Sequence, residues 1–531
     1  MIDKVHLLLP ELALFAATCI VMVVGLSPSL AIRRLCAPIA GLGLIAAGIL
    51  GAVTTPPTDT SVLPGLVPFA KVLVAVVGLL LLLLAAGTVD RTEERLIALG
   101  RQKFNPLRTN RAEFYAFFLF SLTGVMLCAS ADDLIWLFLA LELTSLPTYI
   151  MVTISSGSSV TGRGARSHEA GVKYFFLGAL GAATFLYGFA LLYGGTGTTD
   201  LAEIRAALAG GEINGIAMTG LLIALAGVAF KIAAVPMHFY TPDVYEGASS
   251  SVAAFLAFVP KTAGFIAIIL LVSLVGAPGD GPWLPEPVRL ALWVMAALTM
   301  TVGNVLAILQ TSVKRMLAYS SIAHSGYMLV GVVAGPGDGI TENGLAAVLF
   351  YLLCYGVMNM GAFAVLACLE RPRGQGEPAE IESVADLRGL CRTHPALGWT
   401  MVLCALSLLG FPPLLGFLGK FVLFSAAITR GEIVLVVVLG LNSAIAAFYY
   451  LRLVAAPLLE SPDAARSTPV PTPFFSRPLA AMVSAGGVVI LAIFADGLMD
   501  ASGNAGRVNT GAEAPREGQV VPGRPNASRA D

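Results

Sequence analysis

Charge is what this sequence has least of. Of its 531 residues only 12% are Asp, Glu, Lys or Arg, against about 25% in a soluble domain. With 57% hydrophobic residues and a mean hydropathy of +0.83, the chain carries more apolar surface than a water-soluble globule can bury. It reads as an integral membrane protein, with the lipid bilayer as its first partner. The net charge is −1, so the basic excess that marks a nucleic-acid partner is missing. Cysteines are few, and Cys19, Cys36, Cys128, Cys354, Cys368, Cys391 and Cys404 form no CxxC pair. Most lie in apolar runs, where a free thiol behaves as a small hydrophobe. That pattern argues against a disulfide framework, a zinc site, any other metal site or an iron–sulfur cluster. A cleavable leader pattern is lacking too. Asp3 and Lys4 precede a full-length apolar run, so residues 7–26 read as the first span.

What is there is a long series of apolar runs. A spanning helix takes about 20 residues, and by that length the chain is an all-α integral membrane protein with about fourteen transmembrane helices. They are expected near 7–28, 36–53, 66–88, 114–131, 133–154, 170–194, 215–237, 247–275, 287–309, 316–334, 342–369, 396–427, 433–457 and 477–497. The basic residues cluster in the loops after odd-numbered spans, for example Arg33 and Arg34, Arg91 to Arg111, Arg163 and Arg166, Lys314 and Arg315, and Arg371 to Arg392. The positive-inside rule then sets those loops in the cytoplasm and both termini outside. One span is broken at Pro236 with Lys231 before the break, and a later one at Pro412-Pro413 with Lys420 after it. Paired interrupted spans are the sequence pointer to a transport site. The expected organisation is a three-helix segment and its loop (1–113), two inverted five-helix repeats (114–275 and 276–457), each containing a broken helix, a last span (458–499) and a disordered polar tail (500–531).

The informative charges are those inside the apolar runs. A lysine at bilayer depth costs roughly 2.5–3.5 kcal/mol on insertion scales. Glu142 lies eight residues past Leu134, about 12 Å into its span at 1.5 Å per residue. Lys231, Lys261 and Lys420 lie comparably deep. One acid and three bases at one level form a polar layer along the membrane plane. Burial favours the neutral form of a lysine and a neighbouring carboxylate the charged form. A lysine held between these influences loads or unloads a proton as its acid partner moves. Static ion pairs or snorkelling are the plainer alternatives. Snorkelling suits Lys71 and Lys173, near span ends, and fits the three deep lysines poorly. His324 titrates in the right range for a relay, although a lone helical histidine is more often a packing residue. Asp132 and Asp133 read as a helix N-cap, Glu169 and Lys173 as an i, i+4 pair, and His238, Asp243 and Glu246 as residues that shape a turn.

Several stretches together resemble one family. Gly227-Val-Ala-Phe-Lys231, then Pro236-x-His238, Pro242-Asp243-Val-Tyr245-x-Gly247-Ala and Lys261, is similar to the proton-conducting antiporter-like subunits of respiratory complex I. Glu169 to Gly178, Leu309 to Tyr327 and Leu441 to Arg452 resemble the subunit N branch of that family. The likeness covers nearly all the chain except the tail. It implies a translocase subunit of a bacterial NADH–quinone oxidoreductase in the cell (inner) membrane, assembled with other membrane subunits. It implies that Glu142 and Lys231 form the proton-input pair, that Lys261 is the central relay, and that His324 bridges toward Lys420. NADH, FMN, iron–sulfur clusters and quinone would then be used in other subunits; this chain carries no binding motif for any cofactor and no redox chemistry of its own. Two departures stand out. Ser249-Ser250-Ser251 replaces the usual prolines, leaving the start of the Lys261 helix less determined, and Asp132 stands where an amide is more usual. The related alternative is a subunit of a multi-subunit sodium/proton antiporter or membrane-bound hydrogenase. A stand-alone solute carrier would need a polar cluster of solute size, which the spaced single charges do not offer.

Overall fold

The computed structural model describes residues 2–54, 62–155, 163–209, 213–276, 282–373, 376–462 and 468–509. Eleven helices among them are long and apolar enough to cross a membrane. Four shorter apolar helices accompany them: Leu9–Gly25, Gly215–Ala229, Pro395–Leu409 and Leu415–Thr429. The last two are the halves of the single stretch expected at 396–427, separated at Pro412-Pro413. Large apolar side chains such as Val23, Phe176, Val434 and Phe448 point outward from the peripheral helices, which in water would be an aggregating surface and in lipid is the required one.

Two helices, Ser250–Ser273 and Gly344–Cys368, are buried along their whole length, and Val313–Ala334 nearly so. Protein rather than lipid surrounds them, which is where ionisable side chains are tolerated inside a bilayer. They carry Lys261, Tyr351 with Tyr355, and His324.

The two breaks use the same backbone device. After Gly215–Ala229 the Ala234 amide bonds the Ala229 carbonyl and the Ala233 amide the Phe230 carbonyl, the pair of bonds that defines a Schellman ending. Ala233 takes the left-handed conformation there, at φ 55°, where glycine is usual; a side chain in that region costs roughly 1–2 kcal/mol. After Pro395–Leu409 the Phe411 amide reaches back to the Leu406 carbonyl, with Gly410 at φ 91°. Broken backbone at membrane depth must find partners inside the protein. Ser325 donates to the Ile232 carbonyl (2.6 Å), Tyr240 to the Phe230 carbonyl (2.9 Å), and the Val235 amide to Thr299 (2.9 Å). Close helix approach sets the position of the first break: a Cβ on Gly227 would lie 2.4 Å from the Phe185 amide nitrogen, so glycine is what lets Gly215–Ala229 lie against Arg163–Thr196.

Loops expected on one face do meet. Arg91 pairs with Glu370, Arg315 bonds Asp243 (2.8 Å) and Glu246 (3.0 Å), and Arg477 bonds the Ala86 (2.8 Å) and Ala367 (2.7 Å) carbonyls. On the opposite face Arg289 pairs with Glu432 (2.5 Å) and the Leu201 amide bonds the Asp132 carbonyl (2.9 Å).

Several expectations need correction or refinement. Lys71 does not snorkel: it is buried, and its ammonium pairs with Glu11 at 3.0 Å. The polar tail does not begin at 500, because the helix Ala495–Ala505 runs through that boundary, and Asn343 donates to the Gly506 carbonyl just beyond it (3.1 Å). The remainder of the expected tail, 510–531, lies outside the described residues. A three-stranded antiparallel sheet, Leu369–Arg373 between Gly376–Glu380 and Val470–Pro471, was not anticipated in an all-α chain. The serines at 249–251 do start a helix, with Ser249 as N-cap of Ser250–Ser273. Asp133 is the expected N-cap, accepting from the Ile135 (2.7 Å) and Trp136 (3.3 Å) amides.

Candidate functional site

Glu142 and Lys231 meet. The Lys231 ammonium lies 3.0 Å from Glu142 Oε1 and donates to Ser145 Oγ at 2.6 Å. Glu142 and Ser145 sit one turn apart on Leu134–Ile154, three positions being one helix face. The break after Ala229 delivers Lys231 to that face, and the Phe185 ring lies 5.5 Å from the ammonium as a further cation-attracting surface. Lys173, by contrast, is a half-exposed surface group, paired with Glu169 (2.8 Å) and Asp243 (3.3 Å).

Lys261 is buried and bonds the Ser321 carbonyl and Ser325 Oγ (2.8 Å). Ser325 in turn donates to Ile232, the residue after Lys231. One hydroxyl therefore joins the Lys261 helix, the His324 helix and the first break. No carboxylate faces Lys261 among the described residues; hydroxyl and carbonyl oxygens alone receive its protons.

His324 is buried and engaged at both ring nitrogens, Nδ1 with Tyr351 (2.6 Å) and Nε2 with Tyr450 (2.7 Å). Tyr450 also bonds Ser320. Behind this lies an amide and phenol network: Asn304 donates to Tyr327 (2.9 Å) and Asn442 (3.3 Å) and accepts from Tyr449 (3.0 Å). Asn442, Tyr449 and Tyr450 come from one stripe of Ile433–Leu458, the stretch whose sequence stood out between Leu441 and Arg452. Lys420 does not touch His324. Its ammonium caps the freed Leu409 carbonyl at 2.8 Å and lies 4.9 Å from the Tyr327 ring centre.

The structure thus brings Glu142 to Lys231 directly, ties Lys261 through Ser325 to the backbone carbonyl of Ile232 beside Lys231, and separates His324 from Lys420 by tyrosines. Sequence reasoning missed Tyr351, Tyr450, Ser145 and Ser325, since hydroxyls in apolar helices carry no charge signal. It also missed a charged cluster at the loop face. Glu380, from the unanticipated strand, accepts from Lys314 (2.9 Å) and from both the amide (3.0 Å) and hydroxyl (2.8 Å) of Ser250. Lys314 also bonds the Ala248 carbonyl at 2.9 Å. The Lys314 ammonium overcomes burial and holds the Glu380 carboxyl down at about 2. One side chain so ties the start of the Lys261 helix to the start of the His324 helix.

Residues 131–446 match the family described as NADH:quinone oxidoreductase/Mrp antiporter, transmembrane. The chain is 40% identical over 418 residues to NADH-quinone oxidoreductase subunit N of Trichlorobacter lovleyi, covering 78% of each chain. It is 37% identical over 473 residues to the subunit N of Salinibacter ruber, covering 87% of this chain and 88% of that one. Among solved structures it resembles a chain of respiratory complex I from Thermus thermophilus with a TM-score of 0.72 at 31% identity, covering 94% of this chain and all of that one. A chain of the Mrp complex from a Dietzia species shares the fold, with a TM-score of 0.71 at 21% identity and 95% and 97% coverage.

Proposed function

The chain belongs to the subunit N branch of the NADH:quinone oxidoreductase/Mrp antiporter membrane family, and on that premise we propose that Glu142, Lys231, Lys261, His324 and Lys420 carry protons through it. It is an antiporter-like membrane subunit of an NADH–quinone oxidoreductase, a translocase, and works in a hetero-oligomer with other membrane subunits. Electron transfer from NADH to quinone, with its flavin and iron–sulfur centres, belongs to other subunits in this reading. The chain's part is to turn rearrangement driven by that reaction into proton movement. The basic loops after odd-numbered spans support a cytoplasmic side for them and an outer side for both termini.

The observation that carries the proposal is the Glu142–Lys231 pair at the first helix break, where Ser325 also ties Lys261 to the backbone of that break at Ile232. A buried ion pair is no gain in stability over apolar packing, so a pair kept at a backbone interruption answers to transport. When Glu142 stands at 3.0 Å it holds the proton on Lys231; drawn away, it releases that proton toward the hydroxyl of Ser145. The domain division stands on the same footing: residues 114–275 and 276–457 form the two antiporter-like units, each with one break and its lysine, flanked by 1–113 and by a C-terminal segment from 458 that continues past residue 500.

The test is Lys231→Ala in the whole complex reconstituted in liposomes. NADH oxidation and lumen acidification are expected to fall together. Wild-type turnover with the full number of protons per NADH refutes the assignment.

A further inference from the structure

We propose that Tyr351 and Tyr450 are themselves proton-transfer residues, passing the proton on and off the His324 imidazole between Lys261 and Lys420. This rests on the reading of His324 as part of the proton line and assigns its immediate donors and acceptors.

The geometry is specific. A neutral imidazole has one N–H and one bare nitrogen, and a phenol hydroxyl both donates and accepts. With hydroxyls at 2.6 Å and 2.7 Å from the two nitrogens, one tyrosine must donate to the ring while the other accepts from it. Transfer then balances simply. The Tyr450 hydroxyl gives its proton to bare Nε2 and takes one from its other side, where Ser320 is bonded to it. The Nδ1 proton passes to the Tyr351 oxygen, which releases its own proton toward Lys420. One proton enters, one leaves, the ring ends in its other tautomer, and nothing is oxidised or reduced.

The clamp sits between elements that carry the two lysines. Tyr351 packs on the residue before Lys420, since a Cβ on Gly419 would come within 2.6 Å of its ring. Toward Lys261, the hydroxyls of Ser321 and Tyr355 are buried and face one another. Ser321 supplies the carbonyl that Lys261 bonds, and the Tyr355 ring lies 5.1 Å from the imidazole. Ser321 and Ser320 are neighbours on the His324 helix, so the residue that receives Lys261 and the residue bonded to Tyr450 are adjacent in the chain.

A purely structural clamp would orient the ring without passing protons, and the experiment separates the two. Tyr351→Phe and Tyr450→Phe keep the rings and remove one oxygen each. In the whole complex in liposomes, each is expected to lower NADH-driven acidification by about 10²-fold, the low end of the roughly 10²–10⁴-fold that positioned proton transfer supplies, and to change the ratio of rates in H2O and D2O. Fluorination of the Tyr351 ring (3-fluorotyrosine at that position) keeps every contact and makes the phenol more acidic. The relay predicts a shift of the pumping pH profile to lower pH; an unmoved profile overturns it, even if a Phe variant fails to assemble. Lys231→Ala run alongside separates the two levels. If that variant is impaired while both Phe variants pump as wild type with an unchanged isotope ratio, this inference fails alone. If Lys231→Ala also pumps normally, the proton line itself fails.

Discussion

Glu142 offers the sharpest quantitative test, because its distance to Lys231 fixes how graded substitutions must behave. At 3.0 Å and an effective dielectric of ~20, two unit charges attract by about 5 kcal/mol. Neither partner is open enough for water to screen this much: the side chains are 2% and 17% exposed for Lys231 and Glu142. Glu142→Asp withdraws the carboxylate by about 1.5 Å, one methylene, which leaves about two-thirds of the attraction at the same dielectric. The loss is then about 2 kcal/mol, or roughly twentyfold in the equilibrium that loads a proton. Glu142→Gln keeps the shape and removes the charge, and with it the whole attraction. In liposomes containing the assembled complex, acidification is expected to be slowed no more than about twentyfold by Asp and to be lost with Gln, while assembly of both variants is checked by co-purification. If Asp and Gln act alike, or if Gln pumps at the wild-type rate, proton loading does not depend on the charge of Glu142 and the electrostatic switch is wrong.

The buried Glu11–Lys71 pair gives a second test. Lys71→Met strands a carboxylate and is expected to cost about 3–5 kcal/mol, whereas Glu11→Leu with Lys71→Met recovers most of it; thermal midpoints of the complex in nanodiscs measure both, and a double variant as damaged as the sum of the singles contradicts the pairing. The third concerns acid stability. Glu380 is held at about 2 against an ordinary value of 4.5, so its contribution is complete above the ordinary value and fades as pH falls through the interval down to the lowered one. That amounts to roughly 3 kcal/mol. Glu380→Gln should therefore lower the thermal midpoint at pH 7 and converge on wild type at the acid end; a constant gap across that range would count against the pair with Lys314.

Much of this was legible in the sequence for a simple reason. Charge inside an apolar run is conspicuous, so Glu142, Lys231, Lys261 and Lys420 announced themselves, and Pro412-Pro413 marked the second break; the first begins after Ala229, ahead of Lys231 rather than behind it at Pro236, because Ala233 and Ala234 close the helix there. Lys71 misled because its depth was judged along its own helix. It is the sixth residue of Leu66–Leu84, a position from which a lysine on a lipid-facing helix would snorkel. Here a second helix closes over it at Gly51, where a Cβ would lie 2.7 Å from that of Lys71, and Glu11 waits on a third. Position along one span does not reveal what packs beside it. The hairpin at 369–380 was hidden for the opposite reason: Leu-Glu-Arg-Pro-Arg has no strand alternation, and beside its local partner Gly376–Glu380 the strand pairs on its other edge with Val470–Pro471, about a hundred residues on. The tyrosines around His324 were invisible as function because an apolar helix accepts a phenol for packing alone; only the two short bonds to one ring distinguish them.

The two breaks, alike in backbone, differ in what they do for their lysines, and that difference bears on direction. At the first, the helix ends so that Lys231 meets a carboxylate from another helix at 3.0 Å. At the second, Lys420 reaches back to the carbonyl freed by its own break, at 2.8 Å, with a ring face 4.9 Å away. A full negative charge holds an ammonium more strongly than a dipole and a ring quadrupole do. Within the proposed line, a positive charge resting beside Glu142 therefore lies lower than one beside Leu409, and protons do not drift from the first lysine to the second unaided. Lys261 and the His324 clamp lie between them with neutral oxygens only, and so neither trap the proton nor supply the energy to move it. The step that drives transfer must act on Glu142, the one member of the line whose displacement raises the starting level.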